Sequence, residues 1–189
     1  MTKGNIIFLN GTSSSGKTVI AKALQQILDE PYLHYAVDSF LDMLPSMSGS
    51  PDGFSEEDVE TLESLLPKII SGAHQGIATF ASEGINLIVD HVLQDPHWLK
   101  ECVNLLVDFP VLFVGVHCPL EELERRERER AREQGTARWQ FDRVHAHGIY
   151  DVEVDTSSRS PTDCALQIKN ALKDVHSADA FGQLRQQLT

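Results

Sequence analysis

Residues 11–18 read Gly-Thr-Ser-Ser-Ser-Gly-Lys-Thr, a full match to the pattern G-x-x-x-x-G-K-[ST]. The match sits between Asn5–Asn10, an apolar run of strand length, and Lys17–Leu28, whose Ile20, Ala21, Leu24, Ile27 and Leu28 share one helical side. The glycines let the backbone curl until successive N–H groups face one point, and the start of the helix adds partial positive charge there. A phosphate chain fits such a cradle. On this reading Gly11, Thr12, Ser13, Ser14, Ser15 and Gly16 wrap the phosphates, Lys17 bridges the outer two, and the Thr18 hydroxyl holds Mg²⁺. A chance Ser/Gly-rich turn is the alternative, and the strand and helix on either side argue against it.

The cradle demands strand, loop, helix, and the rest of the chain repeats that alternation. Further strands are expected at Leu33–Val37, Asn86–Val92, Pro110–Cys118 and Val152–Val154. Such runs suit parallel strands buried on both faces. Helical periodicity marks Lys17–Leu28, Glu56–Ser82, His97–Val107, Leu120–Glu133 and Thr162–Val175, with Ser160-Pro161 as a start signal for the last. Pro67 is expected to kink or split the long helix. The expectation is an α/β, three-layer P-loop domain with a five-stranded parallel sheet over residues 1–176 and a helical lid at about 120–147. The tail from Ser177 to Thr189 shows weak helical character and is expected to dock late or fray.

Charge and cysteines narrow the partners. The net charge of −12 excludes a general nucleic-acid or anionic-membrane binder. No apolar run reaches the ~18–20 residues of a membrane span, and no signal peptide is read at the N-terminus. Cys102, Cys118 and Cys164 are widely spaced, which suits buried thiols in a reducing cytoplasm and no zinc site. The spacing of His145 and His147 suits one side of a strand better than a helical ligand pair. No stripe marks an oligomer interface, and a homodimer stays open.

Two acidic residues end strands, and ligands of open α/β sheets bind outside the carboxyl ends of strands. Asp38 follows Tyr35-Ala36-Val37 and is a candidate general base or a helix N-cap. Asp90 follows Leu87-Ile88-Val89 and suits the Mg²⁺ shell, with a structural role as the alternative. Seven of the 16 Lys and Arg residues fall between Arg125 and Arg143. Pairs Glu121–Arg125, Glu122–Arg126 and Glu124–Arg128 at i,i+4 would make this a solvated helix. Arg126 and Arg130, however, continue the inward stripe begun by Leu123. They read, with Arg132, as a lid that closes over phosphates.

The cradle, Val37-Asp38-Ser39-Phe40 with Met43-Leu44-Pro45, Val89-Asp90, Val114-Gly115-Val116-His117-Cys118 and His147-Gly148-x-Tyr150-Asp151-Val-Glu-Val-Asp155-Thr156 occur in that order. Over roughly residues 5–175 this resembles chloramphenicol phosphotransferase and its relatives. The resemblance implies a P-loop kinase core, ATP with Mg²⁺, and transfer of the γ-phosphate to a hydroxyl of a small molecule, an antibiotic among the candidates. It implies Lys17 and Thr18 at ATP, Asp38 as base, Arg126 and Arg130 in the lid, and Asp155-Thr156 near the adenine. His91 stands where a second carboxylate would follow the third-strand Asp, and the loop Ser46–Phe54 differs from the antibiotic enzyme's. Phe40, Met43, Leu44, Phe54 and Trp139 are the candidate acceptor lining, with core packing as the alternative for each. Rival readings are a sugar-nucleotide or nucleoside kinase of zeta-toxin-like type, and a non-catalytic ATP-binding regulatory module. The absence of extra cations in Ser46–Phe54 favours a neutral acceptor.

Overall fold

β1 (Ile6–Asn10) is buried at every position, and its side chains alternate between two cores. Ile6 and Phe8 point to one, Ile7 and Leu9 to the other. The computed structural model describes residues 2–44, 56–130 and 135–188. Around β1 lie β2 (Leu33–Ala36), β3 (Leu87–His91), β4 (Val111–His117) and β5 (Val152–Asp155). They form one sheet in the order β2-β3-β1-β4-β5, all pairs parallel. Sequence-distant neighbours of this kind require helical crossovers, and the helices cover both faces. α1 (Lys17–Ile27) and α6 (Pro161–Leu172) pack on the Ile7 side. α2 (Glu56–Ser82), α3 (Pro96–Leu106) and α7 (Ala180–Gln187) pack on the Phe8 side.

Local chemistry explains the helix starts. Asp95 accepts the N–H of His97 ahead of Pro96, and Ser160 forms a capping box with Asp163 ahead of Pro161. Several boundaries and contacts differ from the sequence expectations. β2 stops at Ala36, and Val37–Phe40 tightens into a 3₁₀ turn. α2 runs unbroken through Pro67, which lies on an exposed face where water can reach the carbonyl its ring deprives of a partner. The expected helix Leu120–Glu133 ends earlier, as α4 (Leu120–Glu129), and a further helix, α5 (Thr136–Val144), follows it. Glu127 decides that arrangement. It is buried, and its carboxylate accepts the N–H of Ala137 at 2.7 Å and of Gly135 at 3.2 Å, capping α5 from α4.

The C-terminal tail is part of the core. Phe181 of α7 is 4% exposed and meets the rings of Phe8 and Phe113 at 5.8 and 4.9 Å. His145 and His147 lie after α5, outside any strand, which corrects the strand reading. Cys102, Cys118 and Cys164 are free and buried. No described helix is long and apolar enough to cross a membrane.

Candidate active site

β1 delivers the chain to the carboxyl edge of the sheet, where residues 11–16 turn before α1 begins. Ser14 has φ +62° and Gly16 φ +99°. Alternating right- and left-handed backbone aims successive N–H groups inward. A Cβ on Gly11 would stand 2.5 Å from the carbonyl of Val116 and 2.8 Å from Ser15 Oγ, so the loop packs against β4 only because that residue is glycine. The hydroxyls of Ser14 and Ser15 are buried without hydrogen-bond partners, and no side chain caps the start of α1. This set of unmet donors fits an anionic oxygen-rich group.

Lys17 is 6% exposed, and its Nζ donates to the carbonyls of Gly11 and Thr12 at 2.9 and 3.0 Å. It also stands 3.8 Å from Asp90 Oδ1. The Thr18 hydroxyl donates to Asp90 Oδ2 at 2.7 Å, and His34 Nε2 lies 3.6 Å from the same oxygen. Burial alone would raise the Asp90 carboxyl, but the Lys17 ammonium, His34 and the Thr18 hydrogen bond outweigh it and hold the pKa below its usual value. An ionised carboxylate touching a threonine hydroxyl beside this turn suits Mg²⁺ and its waters.

Asp38 sits in the 3₁₀ turn after β2, exposed to the same space. A cavity of about 430 Å³ is lined by Ser14, Lys17, Thr18, Asp38, Asp90 and Arg130. The strand-end geometry thus gathers residues separated by more than a hundred positions. Arg130 closes α4 and faces this cavity. Arg126 is set differently. Its Nε donates to Glu122 at 2.7 Å, and its Nη atoms donate to Thr156 Oγ1 and O at 3.1 and 2.9 Å and to Ser14 O at 3.4 Å. Thr156 Oγ1 in turn donates to Ser15 O at 2.7 Å. Arg126 and Thr156 therefore clamp α4 and the end of β5 onto the rim of the cradle. Asp155 accepts from Ser157 N and Oγ, and borders a separate hollow with Thr12 and His117.

Of the expected helix pairs, only Glu122–Arg126 forms. Arg125 pairs with Glu122 and Glu129, and Glu124 reaches across to Arg138 on α5. The missed helix supplies the partner that replaces Arg128. Arg132 and the loop Ser46–Phe54 lie outside the described residues.

A second cavity of about 360 Å³ adjoins the first, sharing Ser13 and Asp38. Its walls are Leu41, Ile70, Val92, Trp98, Gln94 and Gln140, among others. Phe40 faces the first cavity, but Met43 is 73% exposed and Leu44 lines neither. Trp139 is also out of place as acceptor lining: it is half-exposed with the Arg143 guanidinium 4.2 Å over its ring. Trp98, Gln94 and Gln140 were not singled out from the sequence, since no local motif marks them. Asn10 was missed too, although a buried amide at the end of an apolar strand is a signal. It bonds Val144 O at 3.0 Å, Tyr150 Oη at 2.8 Å and Leu93 N at 2.9 Å, fixing the end of α5 beside the cradle. His91, at the position after Asp90, is buried, within 3.0 Å of His74 and stacked on Trp98.

Comparison with known proteins adds the following. The family model for chloramphenicol phosphotransferase-like proteins matches residues 4–173. A protein of Mycobacterium tuberculosis strain H37Rv, provisionally named an O-phosphotransferase, is 29% identical over 201 residues, 98% of this chain and 89% of the relative. The APS kinase of M. tuberculosis, solved in complex with AMPPNP and APS, superposes with TM-score 0.64 and 16% identity over 92% of this chain and 99% of that one. The tunicamycin resistance protein of Deinococcus radiodurans gives TM-score 0.62 and 21% identity over 89% and 95%. At these identities the two structures establish the fold, that of the P-loop kinases.

Proposed function

The chain belongs to the chloramphenicol phosphotransferase-like family, phosphotransferases on the P-loop kinase fold, and from that premise we propose that it moves the γ-phosphate of ATP to a hydroxyl of a small neutral molecule, with Asp38 as general base. One observation carries this reading. Asp38 belongs to both cavities, one lined by the cradle, Lys17, Thr18, Asp90 and Arg130, the other by Leu41, Leu66, Ile70, Val92 and Trp98 together with Gln94, Thr136 and Gln140. A phosphate donor in the first and an alcohol in the second would meet at this carboxylate.

In that arrangement Asp38 takes the proton of the acceptor hydroxyl as its oxygen forms the bond to the γ-phosphorus and the bond to the β-bridging oxygen breaks, leaving ADP. Lys17 exchanges its carbonyl partners for phosphate oxygens. Arg130 adds positive charge over the transferring group, and Ser14 and Ser15 satisfy their hydroxyls on the same oxygens. Thr18 and Asp90 would hold Mg²⁺, which supplies charge neutralisation across the outer phosphates. Arg126 and Thr156 keep the rim in place, and with Asp155 they flank the nucleoside end. An acceptor seated against Leu41, Ile70, Val92 and Trp98 would displace water from the attacking position, which disfavours simple hydrolysis.

The reading is tested by measuring ATP turnover and product mass with a panel of hydroxylated compounds, chloramphenicol included. Lys17→Ala is expected to abolish transfer. Asp38→Asn, nearly isosteric, is expected to lose roughly 10²–10⁴ in rate while keeping its fold. Turnover persisting in Asp38→Asn would remove the base from the mechanism.

A further inference from the structure

β2 is an edge strand of the sheet, and its register with β3 sets His34 opposite Ile88 and Ala36 opposite Asp90. Side chains two apart share a face, so His34, Ala36 and Asp90 lie on one side of the sheet. Ala36 carries only a methyl beside Asp90, and the His34 imidazole reaches past it until Nε2 stands 3.6 Å from Asp90 Oδ2. That nitrogen is buried and has no hydrogen-bond partner. A histidine that merely guarded a sheet edge would keep its polar atoms in water. This one turns a polar atom inward, and what it faces is a carboxylate. Beside an ionised carboxylate Nε2 is the nitrogen that carries hydrogen, and a shift of about half an ångström would complete the bond. His34 lies outside the sequence blocks that carry the family resemblance.

We propose that His34 is a positioning residue for the divalent cation, its Nε2–H fixing the plane of the Asp90 carboxylate; this rests on the Mg²⁺ role given above to Thr18 and Asp90. Asp90 Oδ1 already faces a cation, the Lys17 ammonium at 3.8 Å, while Thr18 and His34 both bear on Oδ2. In the proposed reaction Lys17 leaves for phosphate oxygens. Thr18 and His34 are then the donors left on Asp90 among the described residues. The two lone pairs of Oδ2 lie in the plane of the carboxylate, so donors on both hold that plane where one donor lets it turn. His34 stands on a strand of the sheet, so its grip does not wait for the nucleotide. Outer-shell partners of a carboxylate that serves a metal are worth about 10–100-fold in metal affinity.

The experiment measures AMPPNP binding by calorimetry in EDTA and in saturating Mg²⁺, and takes the ratio of the two Kd values. The ratio isolates the metal's contribution and cancels any change in metal-free binding, and it needs no acceptor. In the wild type Mg²⁺ is expected to strengthen binding. His34→Leu fills the same space without the N–H, and its ratio should shrink about tenfold. His34→Gln can place an amide N–H where Nε2 stands, and its ratio should stay within about twofold of the wild type. Thermal melting confirms that each variant is folded, and His34→Ala repeats the comparison should His34→Leu unfold. An undiminished ratio in the variant lacking the N–H, or an equal loss in His34→Gln, overturns the proposal. A wild type whose nucleotide affinity ignores Mg²⁺ overturns the metal role of Thr18 and Asp90, and this proposal with it. Failure to phosphorylate any acceptor while the ratios behave as expected counts against the phosphotransferase reading alone.

Discussion

Asp90 holds three claims at once: a hydrogen bond from Thr18, an ammonium at 3.8 Å and an imidazole at 3.6 Å. A buried carboxylate stays ionised only when such partners outweigh desolvation. Asp90→Asn removes the charge and keeps the shape. It is expected to raise the Mg²⁺ concentration needed for half-maximal turnover by about tenfold, since one charged ligand is worth roughly that in affinity. A Mg²⁺ titration of ATP turnover checks it, and an unchanged midpoint would assign Asp90 to holding Thr18 alone. At this scale the cradle was legible because its residues are consecutive and its chemistry is local. Asp38 and Asp90 were legible because each follows an apolar run of strand length, which puts it at or just past the carboxyl edge of the sheet. Gln94, Gln140 and Trp98 were not, since their roles come from three separate elements meeting.

Among the elements, α7 departs most from expectation. Its sequence is short and mixed, and its helical signal is weak because only Ala180, Phe181 and Leu184 are buried. What holds it is the aromatic contact of Phe181 with Phe8 and Phe113 on the sheet. Phe181→Ala should cost about 3–5 kcal/mol, by lost burial and the cavity left behind. Chemical denaturation measures this, and a loss below about 1 kcal/mol would mean that α7 is peripheral to the fold. The α4–α5 pair teaches a related lesson. The arginine-rich stretch reads as one helix by period, yet it breaks after Glu129, and the buried Glu127 begins the next helix by capping it. A side chain counted in the sequence as one of the acids balancing the arginines is a backbone acceptor in the fold.

The whole molecule shows itself in its response to acid. Burial first, then the neighbouring His117, His147 and Lys17 charges, push His145 down to about 3. Burial likewise pushes His147 down to about 4, and His74 and His91 are lowered by the same cause. These rings are neutral in the folded chain and take up protons near 6.5 when it unfolds. Between about pH 6.5 and pH 4 the unfolded chain binds more protons, so stability present above that window is lost as pH falls through it. The melting temperature should fall steeply over that range, and His145→Gln, which keeps a polar partner for Tyr150, should flatten the slope. An equally steep slope in the variant would place the acid sensitivity elsewhere.

The sequence by itself determined the layer order of the domain, the turn between β1 and α1, and the placing of Asp38 and Asp90 near the carboxyl edge of the sheet. All of these rest on short-range rules: the period of apolar residues, glycine's backbone freedom, and the identity of residues adjacent in the chain. Only the tertiary structure decided that Arg126 locks to Thr156, that Gln140 grips Ser13, and that the C-terminal helix completes the core. Those contacts join residues such as Ser13 and Gln140, 127 positions apart. Their energy comes from desolvation and directional hydrogen bonding at a meeting point that no local pattern encodes.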